Sequence, residues 1–360
     1  MLDVKVIDCD VHPYPRSPQD LLRFAPGRWA AQLKNTRVHR ADYIAPAGGR
    51  RLDAYPSGGV PGSDPELMNS QLLRDAGVDF AILVELLSAP LPDRDLNAAL
   101  RHTLNAWLVH TWLEDYNSHS RFRGSISVPV DNPPMARREI AEWAAHPHMI
   151  QVLVPQAARA PYGQPQYHPI WAEAARRKLP VAIHTGYGGG TDSPTTPVGF
   201  LEHYLEFKSS TYPLSHAAHL VSLICEGVFD MFEDLTFVFL EGGFSWVGPV
   251  VWRLEQNWNY LKSEVPQMKR RPIEYLRTNI RFTTQPIEEP EHFRDLVTIF
   301  DLVDAHEVLM FATDYPHYDY DDPVRAIDRL PAAMKTRILG ENARQLYGLP
   351  DRRQHSHLDD

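Results

Sequence analysis

Apolar runs alternate with helical patterns along most of the chain. The run at 80–84 is continuous (Phe-Ala-Ile-Leu-Val), which is typical of a strand buried on both faces. Between such runs, apolar residues recur at spacings of three and four, as on the buried face of a helix. Strands are predicted to start at residues 6, 80, 124, 149, 180, 236, 280 and 308. Helices are predicted over residues 17–24, 28–33, 65–76, 96–113, 134–145, 169–177, 200–207, 214–229, 246–261, 289–300 and 340–347.

Eight strands, each followed by helical sequence, predict an α/β fold whose sheet closes into a (β/α)8 TIM barrel. Residues 13–76 form a long irregular excursion after strand 1. Its part at 40–64 is rich in Gly, Pro, Ser and Ala, which favours a wall or lid over a site. We expect one domain over residues 1–350 and a polar tail over 351–360.

Ionisable residues stand where three of the predicted strands end. Asp10 and His12 are two apart on strand 1, so their side chains should point to the same side. His184 ends strand 5 and Asp314 ends strand 8. Taken alone, each could be a polar strand end or a helix cap. Because a barrel gathers its strand ends at one mouth, the four together predict a metal site.

Glu241 follows strand 6 and precedes two glycines. Three interpretations of this carboxylate remain open: a metal ligand, a general base, or an ion-pair partner of Arg253 on the next helix. Residues that could line the pocket are Trp246, Tyr187, Tyr315 and His317.

Other polar residues have plainer interpretations. His216 and His219 are three apart on a predicted helix, without the glutamate of a zinc-protease motif, so we expect them at the surface or beside the ligands. Cys9 is expected to pack outward as a small apolar residue.

Composition and charge exclude several classes of function. The net charge of −10 disfavours nucleic acid and anionic membranes as partners. Cys9 and Cys225 are too few for a disulfide framework. No secretory signal is visible, and no apolar run reaches the ~18 to 20 residues of a membrane-spanning helix. A cytoplasmic soluble protein is therefore expected, and the charge does not argue against a small anionic substrate.

Several motifs resemble the amidohydrolase superfamily, in the group that contains aminocarboxymuconate-semialdehyde decarboxylase and the resorcylate-type decarboxylases. They are IDCDVH at 7–12, His184, LEGGFSW at 240–246, FATDYPH at 311–317 and ILGENAR at 338–344. The resemblance implies a metal-dependent barrel with Asp10, His12, His184 and Asp314 as ligands. It covers nearly the whole chain.

Two positions depart from the usual pattern of that superfamily. Asp10 stands where the first-strand motif usually has a histidine, and Glu241 stands where many members have a catalytic histidine. No lysine follows strand 4, so a two-metal site built on a carbamylated lysine is not expected.

The leading hypothesis is a mononuclear enzyme that uses Zn²⁺ or Mn²⁺ to decarboxylate a small carboxylated cyclic or aromatic compound. Asp314 would protonate the carbon that loses CO2, and in a hydrolysis Asp314 or Glu241 would take the proton of the bound water. The same residues would also suit hydrolysis of a lactone, an amide or a C–C bond. A barrel that binds a ligand without catalysis is the alternative of another class, and self-association as a dimer is expected from family analogy alone.

Overall fold

A computed structural model describes residues 5–35, 49–86, 91, 93–185, 203–323 and 325–350. Eight parallel strands form one sheet in the order β1 to β8, which confirms the predicted (β/α)8 barrel. The strands are β1 Val6–Val11, β2 Val78–Leu83, β3 Phe122–Ser127, β4 Met149–Pro155, β5 Val181–His184, β6 Phe237–Leu240, β7 Ile280–Thr283 and β8 Leu309–Met310.

Helices lie between and after the strands. Those of the described residues are α1 Pro18–Leu22, α2 Ala30–Asn35, α3 Pro65–Met68, α4 Arg94–Trp107, α5 Pro133–Trp143, α6 His168–Arg176, α7 Tyr204–Cys225, α8 Val228–Met231, α9 Val247–Leu261, α10 Pro272–Asn279, α11 Phe293–Leu302, α12 Ala305–Val308, α13 Ala332–Thr336 and α14 Asn342–Tyr347. Three of them continue as wider π-type turns, α3 over Asn69–Asp75, α4 over Leu108–Asp115 and α13 over Arg337–Glu341.

Strand residues divide between two apolar clusters because successive side chains point to opposite faces. The larger cluster lies between the sheet and the helices and includes Val11, Leu83 and Phe239. The smaller one, here called the interior cluster, lies inside the barrel. Its buried members are Ile7, Cys9, Phe80, Ile82, Val84, Leu153, Ala182, Val238, Leu240, Met310, Ala343 and Leu349. Strands this far apart in the sheet can share a cluster only within a closed barrel.

The prediction that Cys9 packs outward is wrong. Asp8 pairs with Ala81 and Val11 pairs with Leu83, so β1 holds one residue more than β2 over this stretch. A bulge of this kind breaks the strict alternation of faces. Cys9 joins the interior cluster, fully buried, as Ile7 two residues earlier does, and the bulge lets Asp10 beside it also face inward.

The seam between β8 and β1 closes the barrel. The regular pairing of β8 is short, but the extended chain after it continues along β1. Cys9 N donates to Phe311 O at 3.0 Å, and Asp314 N donates to Asp10 O at 3.1 Å. The buried Asp8 carboxylate accepts from Thr313 N and Thr313 Oγ1, at 2.9 and 2.5 Å.

The helices of the structure differ from the predicted ones in two ways. Residues 204–225 form one helix, α7, which continues through Pro213, where two separate helices were expected. Gln156 Nε2 donates to Thr211 O and Tyr212 O next to this proline, so a tertiary contact supports the backbone there. Helix α10, directly before β7, was not predicted, and neither were the short helices α12 and α13.

Part of the excursion after β1 packs at the mouth of the barrel. Tyr14 N donates to Gly62 O at 2.9 Å, and Arg51 N donates to Pro316 O at 2.9 Å. These contacts place residues 49–64 against the chain segments that follow β1 and β8. Residues 36–48 of the excursion and the tail at 351–360 lie outside the described residues.

Candidate metal centre

The bulge in β1 brings Asp10 and His12 to the inner side of the mouth. Both are fully buried, and His12 Nε2 lies 3.5 Å from Asp10 Oδ1. His12 Nδ1 donates to Val84 O at 2.9 Å, so Nε2 is the ring atom that faces the carboxylates. A second hydrogen bond of this kind fixes the ring of a metal-binding histidine.

His184 enters the same space from the end of β5. Its Nδ1 donates to Thr185 O, and its Nε2 lies 3.2 Å from Asp10 Oδ2 and 3.5 Å from Glu241 Oε2. Burial alone would lower the pKa of His184, but the Asp10 and Glu241 carboxylates outweigh it and raise the pKa to about 9.

Asp314 completes the group from the end of β8. Its φ of 61° is left-handed, a conformation that turns the carboxylate back towards β1. Asp314 Oδ1 accepts from His12 Nε2 at 2.7 Å and from His317 Nδ1 at 2.5 Å. Burial alone would raise the pKa of Asp314, but His317 and His12 outweigh it and hold the pKa well below its usual range.

The donor atoms of this group fit a divalent cation. Asp10, His12 and His184 offer atoms that all lie within 4.8 Å of one another, and so do His12, Asp314 and His317. Four buried atoms of this group have no hydrogen-bond partner among the described residues. They are both carboxylate oxygens of Asp10, Oδ2 of Asp314 and Nε2 of His184. Buried carboxylates without such partners are costly unless a cation compensates them, so the residues present suit one metal ion.

Glu241 lies at the edge of the same group. Its φ of 53° is also left-handed, and its Oε2 accepts from Thr185 Oγ1 at 2.7 Å. Burial and repulsion from Asp314 raise the pKa of Glu241 to about 7, against the opposing effect of His184 and Lys208. The interpretation of Glu241 as the ion-pair partner of Arg253 is wrong, because Arg253 Nη1 donates to Gln256 instead.

The residues proposed to line the pocket occupy different places. His317 borders the mouth, with its ring centroid 4.7 Å from that of His12. Trp246 Nε1 donates to Gly242 O and Gly243 O, and so holds the turn after Glu241. Tyr315 is buried in the larger cluster, and its hydroxyl donates to Gln71 Oε1 at 2.7 Å. Tyr187 lies outside the described residues. Substrate contact by any of the four stays a prediction.

The expectation of a surface position for His216 and His219 is wrong, since both are buried. His219 Nε2 donates to Gln156 O at 2.8 Å, its Nδ1 accepts from Tyr162 N at 3.1 Å, and its ring stacks on that of Tyr162. His216 packs edge-to-face on Phe239 directly behind Gly242. The two histidines face the barrel because helix α7 presents this side to it.

Sequence reasoning missed two cations near the mouth. Lys208 on α7 pairs with the Asp319 carboxylate, which also accepts from Gln285 Nε2 at 3.2 Å. Burial alone would lower the pKa of Lys208, but Glu241, Asp319 and Asp314 outweigh it and raise the pKa. Arg50 donates to the Tyr14 hydroxyl at 2.8 Å and forms a backbone bridge with His317. Neither residue lies at a strand end. Their positions near the mouth depend on the rotation of α7 and on the path of the excursion that holds Arg50, which the sequence does not show.

Comparisons with known proteins place this geometry in context. A family model described as Amidohydrolase matches residues 7–349. Gamma-resorcylate decarboxylase of Rhodococcus jostii (strain RHA1) is 24% identical over 325 residues, which cover 81% of this chain and 93% of that protein. Similarity to decarboxylases thus extends over most of both sequences.

Solved structures with the same fold include two decarboxylases. That of 5-carboxyvanillate decarboxylase from Sphingomonas paucimobilis has a TM-score of 0.71 at 19% identity and covers 97% of this chain and 100% of its own. That of a dihydroxybenzoic acid decarboxylase from Polaromonas sp. JS666, with bound manganese and 2-nitroresorcinol, has a TM-score of 0.66 at 18% identity, covering 98% and 99%. At these low sequence identities, the structural similarity shows only that the chains share a fold. Within the described residues, no helix is long and apolar enough to cross a membrane.

Proposed function

Because this chain belongs to the amidohydrolase family, we propose that it is a metal-dependent carboxy-lyase that removes CO2 from a small hydroxylated aromatic carboxylate. The observation that carries the proposal is the buried convergence of two carboxylates and two imidazoles at the barrel mouth, with ligand atoms that lack other partners. The reaction class is supported by the gamma-resorcylate decarboxylase that aligns with most of this chain.

One divalent ion would be held by Asp10, His12, His184 and Asp314. Two carboxylates with two imidazoles form a harder donor set than three histidines, which favours Mn²⁺ over Zn²⁺. Manganese in the Polaromonas decarboxylase supports the same preference. When bound, the ion supplies Lewis acidity that orients and polarises the substrate carboxylate and its neighbouring hydroxyl.

Two side chains of this chain would balance the charge of an anionic substrate. In the described residues no carboxylate pairs with Arg50, whose guanidinium rests over the Tyr14 ring near His317. Lys208 also stands at the mouth, near Glu241 and Asp319. A guanidinium matches the two oxygens of a carboxylate, so Arg50 is the better candidate for that contact.

We assign the proton transfer to Asp314 and His317. As the bond between the ring carbon and CO2 breaks, its electron pair stays on that carbon. Asp314, whose low pKa makes its protonated form a strong acid, takes up a proton relayed from solvent through His317 and passes it to that carbon as CO2 leaves. His317 Nδ1 donates to Asp314 Oδ1 at 2.5 Å and is partly exposed, so this ring can supply the proton and recover it from solvent.

Asp314→Asn tests this assignment. The substitution keeps the shape of the side chain but removes its exchangeable carboxyl proton, so turnover should fall by about 10²-fold or more. The measurement is CO2 release from a panel of hydroxybenzoates, with metal content and circular dichroism recorded alongside. Asp301→Asn, at an exposed position on α11, is the matched control.

The same panel separates the alternatives. Acid release from lactones without CO2 would support the hydrolase instead. Ligand binding that survives a chelator, with sub-stoichiometric metal and no turnover, would support the non-catalytic barrel. Full CO2 release by Asp314→Asn would contradict the proton assignment alone.

A further inference from the structure

A polar cavity lies at the end of the barrel opposite the metal centre. Its volume is about 390 Å³. It is bordered by the residues that lead into β7 and β8 and by the C-terminal helices. The lining residues are Arg277, Arg281, Glu307, Arg337, Asn342, Gln345 and Leu346. The N-terminal face of such barrels normally serves stability, and no part of the proposed reaction uses this cavity.

The cavity concentrates positive charge in a chain whose net charge is −10. Arg277 is neutralised by Asp304, with Nε 2.8 Å from Oδ2. Among the residues that the structure describes, Arg281 donates only to backbone carbonyls, those of Arg277 and Ile280 at 3.1 and 2.7 Å. The single carboxylate in the lining, Glu307, is about half exposed.

Arg337 is in the same situation as Arg281. Its Nε donates to the backbone carbonyl of His306 at 2.6 Å, and no carboxylate pairs with it in the described part of the chain. Burial lowers the pKa of Arg281, Glu307 opposes this effect, and Arg337 is close enough to add a smaller repulsion. Two partly buried guanidinium groups therefore share one cavity, and the single carboxylate of its lining, Glu307, cannot neutralise both.

We propose that this cavity binds a small oxyanion with at least two negative charges, such as a phosphate group or a dicarboxylate. Each guanidinium presents a planar fork of N–H donors that suits phosphate and carboxylate oxygens. The anion would relieve the repulsion between Arg281 and Arg337. The Gln345 amide and the Leu346 side chain complete a wall for the remainder of the molecule.

An anion here would tie the barrel floor together. Arg281 belongs to β7, while Arg337 and Asn342 belong to the C-terminal segment that covers the floor. Asn342 Nδ2 donates to Leu309 O at 2.7 Å at the start of β8. On the same helix, the hydroxyl of Tyr347 donates to Gln151 Oε1 at 2.8 Å inside the barrel. The bound anion is therefore expected to stabilise the fold without entering the reaction.

The test measures thermal unfolding and calorimetric binding of the metal-loaded enzyme with inorganic phosphate and, separately, malonate. Ionic strength is matched with sodium chloride. Saturating anion should raise the unfolding midpoint by about 2 to 4 °C or more relative to chloride. A response to phosphate alone assigns a phosphate group, and a response to malonate alone assigns a dicarboxylate. No difference from chloride with either probe would overturn the proposal.

Variants locate the binding. Arg281→Gln and Arg337→Gln should each weaken the anion by about tenfold or more while leaving turnover unchanged. Arg294→Gln, which removes the same charge from an exposed position on α11, should bind like the parent protein. Glu307→Gln should tighten binding by about 2- to 5-fold because it removes the opposing carboxylate, and it stays informative if the arginine variants fail to fold. Equal affinity in Arg294→Gln and all three cavity variants would contradict the site.

Discussion

At the residue scale, the site depends on backbone positions that few side chains tolerate. Glu241 and Asp314 both adopt left-handed φ angles, which are uncommon outside glycine and occur mostly where the surroundings enforce them. Gly242 is required for a different reason. A Cβ there would lie 1.9 Å from Nδ1 of the buried His216. The glycine thus lets the turn after β6 pack directly on α7.

Gly242→Ala should therefore destabilise the protein by about 1 to 3 kcal/mol, the usual cost of overpacking, and should impair turnover by displacing Glu241. Urea unfolding and CO2 release are the measurements. Gly248→Ala is the matched control, since its Cβ would find no atom closer than 3.7 Å and its helical position favours alanine. Equal stability of the two variants would refute this account of the turn.

At the element scale, α7 carries more of the site than its sequence indicates. One helix presents His216 behind Gly242, His219 to the segment after β4, and Lys208 to the mouth. Its continuity through Pro213 keeps these side chains in a fixed angular relation. Local rules predict a break at a proline, and the contact from Gln156 changes that outcome.

The buried His219 makes the docking of α7 dependent on pH. Burial lowers the pKa of His219 to about 4, despite its hydrogen bond to Gln156 O. The unfolded chain takes up this proton near pH 6.5, whereas the folded chain resists it until about pH 4. The contribution of neutral His219 to the free energy of unfolding is thus complete above pH 6.5. It is lost as the pH falls, by up to about 3 kcal/mol.

His219→Gln should remove this part of the pH dependence while keeping a side chain that can donate to Gln156 O. The free energy of unfolding in urea, measured between pH 5 and 7.5, should fall more steeply for the parent protein than for the variant. Other buried histidines, His216 among them, contribute equally to both and cancel in the difference. Parallel pH profiles would show that His219 does not carry the effect.

At the scale of the whole molecule, the barrel holds carboxylates from β1, β6 and β8 in one buried space. Asp10, Glu241 and Asp314 repel one another there, with His12, His184 and Lys208 as the opposing charges. A fold that buries acidic groups in this way gains stability from any cation that binds only the folded state.

Metal removal should accordingly lower the unfolding midpoint by several degrees as well as abolish CO2 release. The comparison is between protein dialysed against a chelator and the same protein reloaded with Mn²⁺. Asp10→Asn, which weakens the proposed ligand set, should show a much smaller difference between the two states. An unchanged midpoint in the parent protein would mean that these residues hold no structural cation.

Much of this architecture followed from the sequence. The apolar runs fixed the positions of eight strands because a buried parallel strand needs consecutive apolar residues. Strand ends then placed Asp10, His12, His184 and Asp314 at one mouth, since a barrel orients all its strands alike. Periodicity and topology can be inferred from the sequence without knowledge of any single tertiary contact.

Tertiary structure alone decided the remaining features. A bulge relative to β2 lets the neighbours Cys9 and Asp10 both face inward, and Lys208 reaches the mouth only because of how α7 is rotated against the barrel. The arginine cavity joins residues 277, 281 and 337, which no local pattern connects. Contacts between segments distant in sequence set all three, because packing chooses among backbone states that local preferences leave nearly equal in energy.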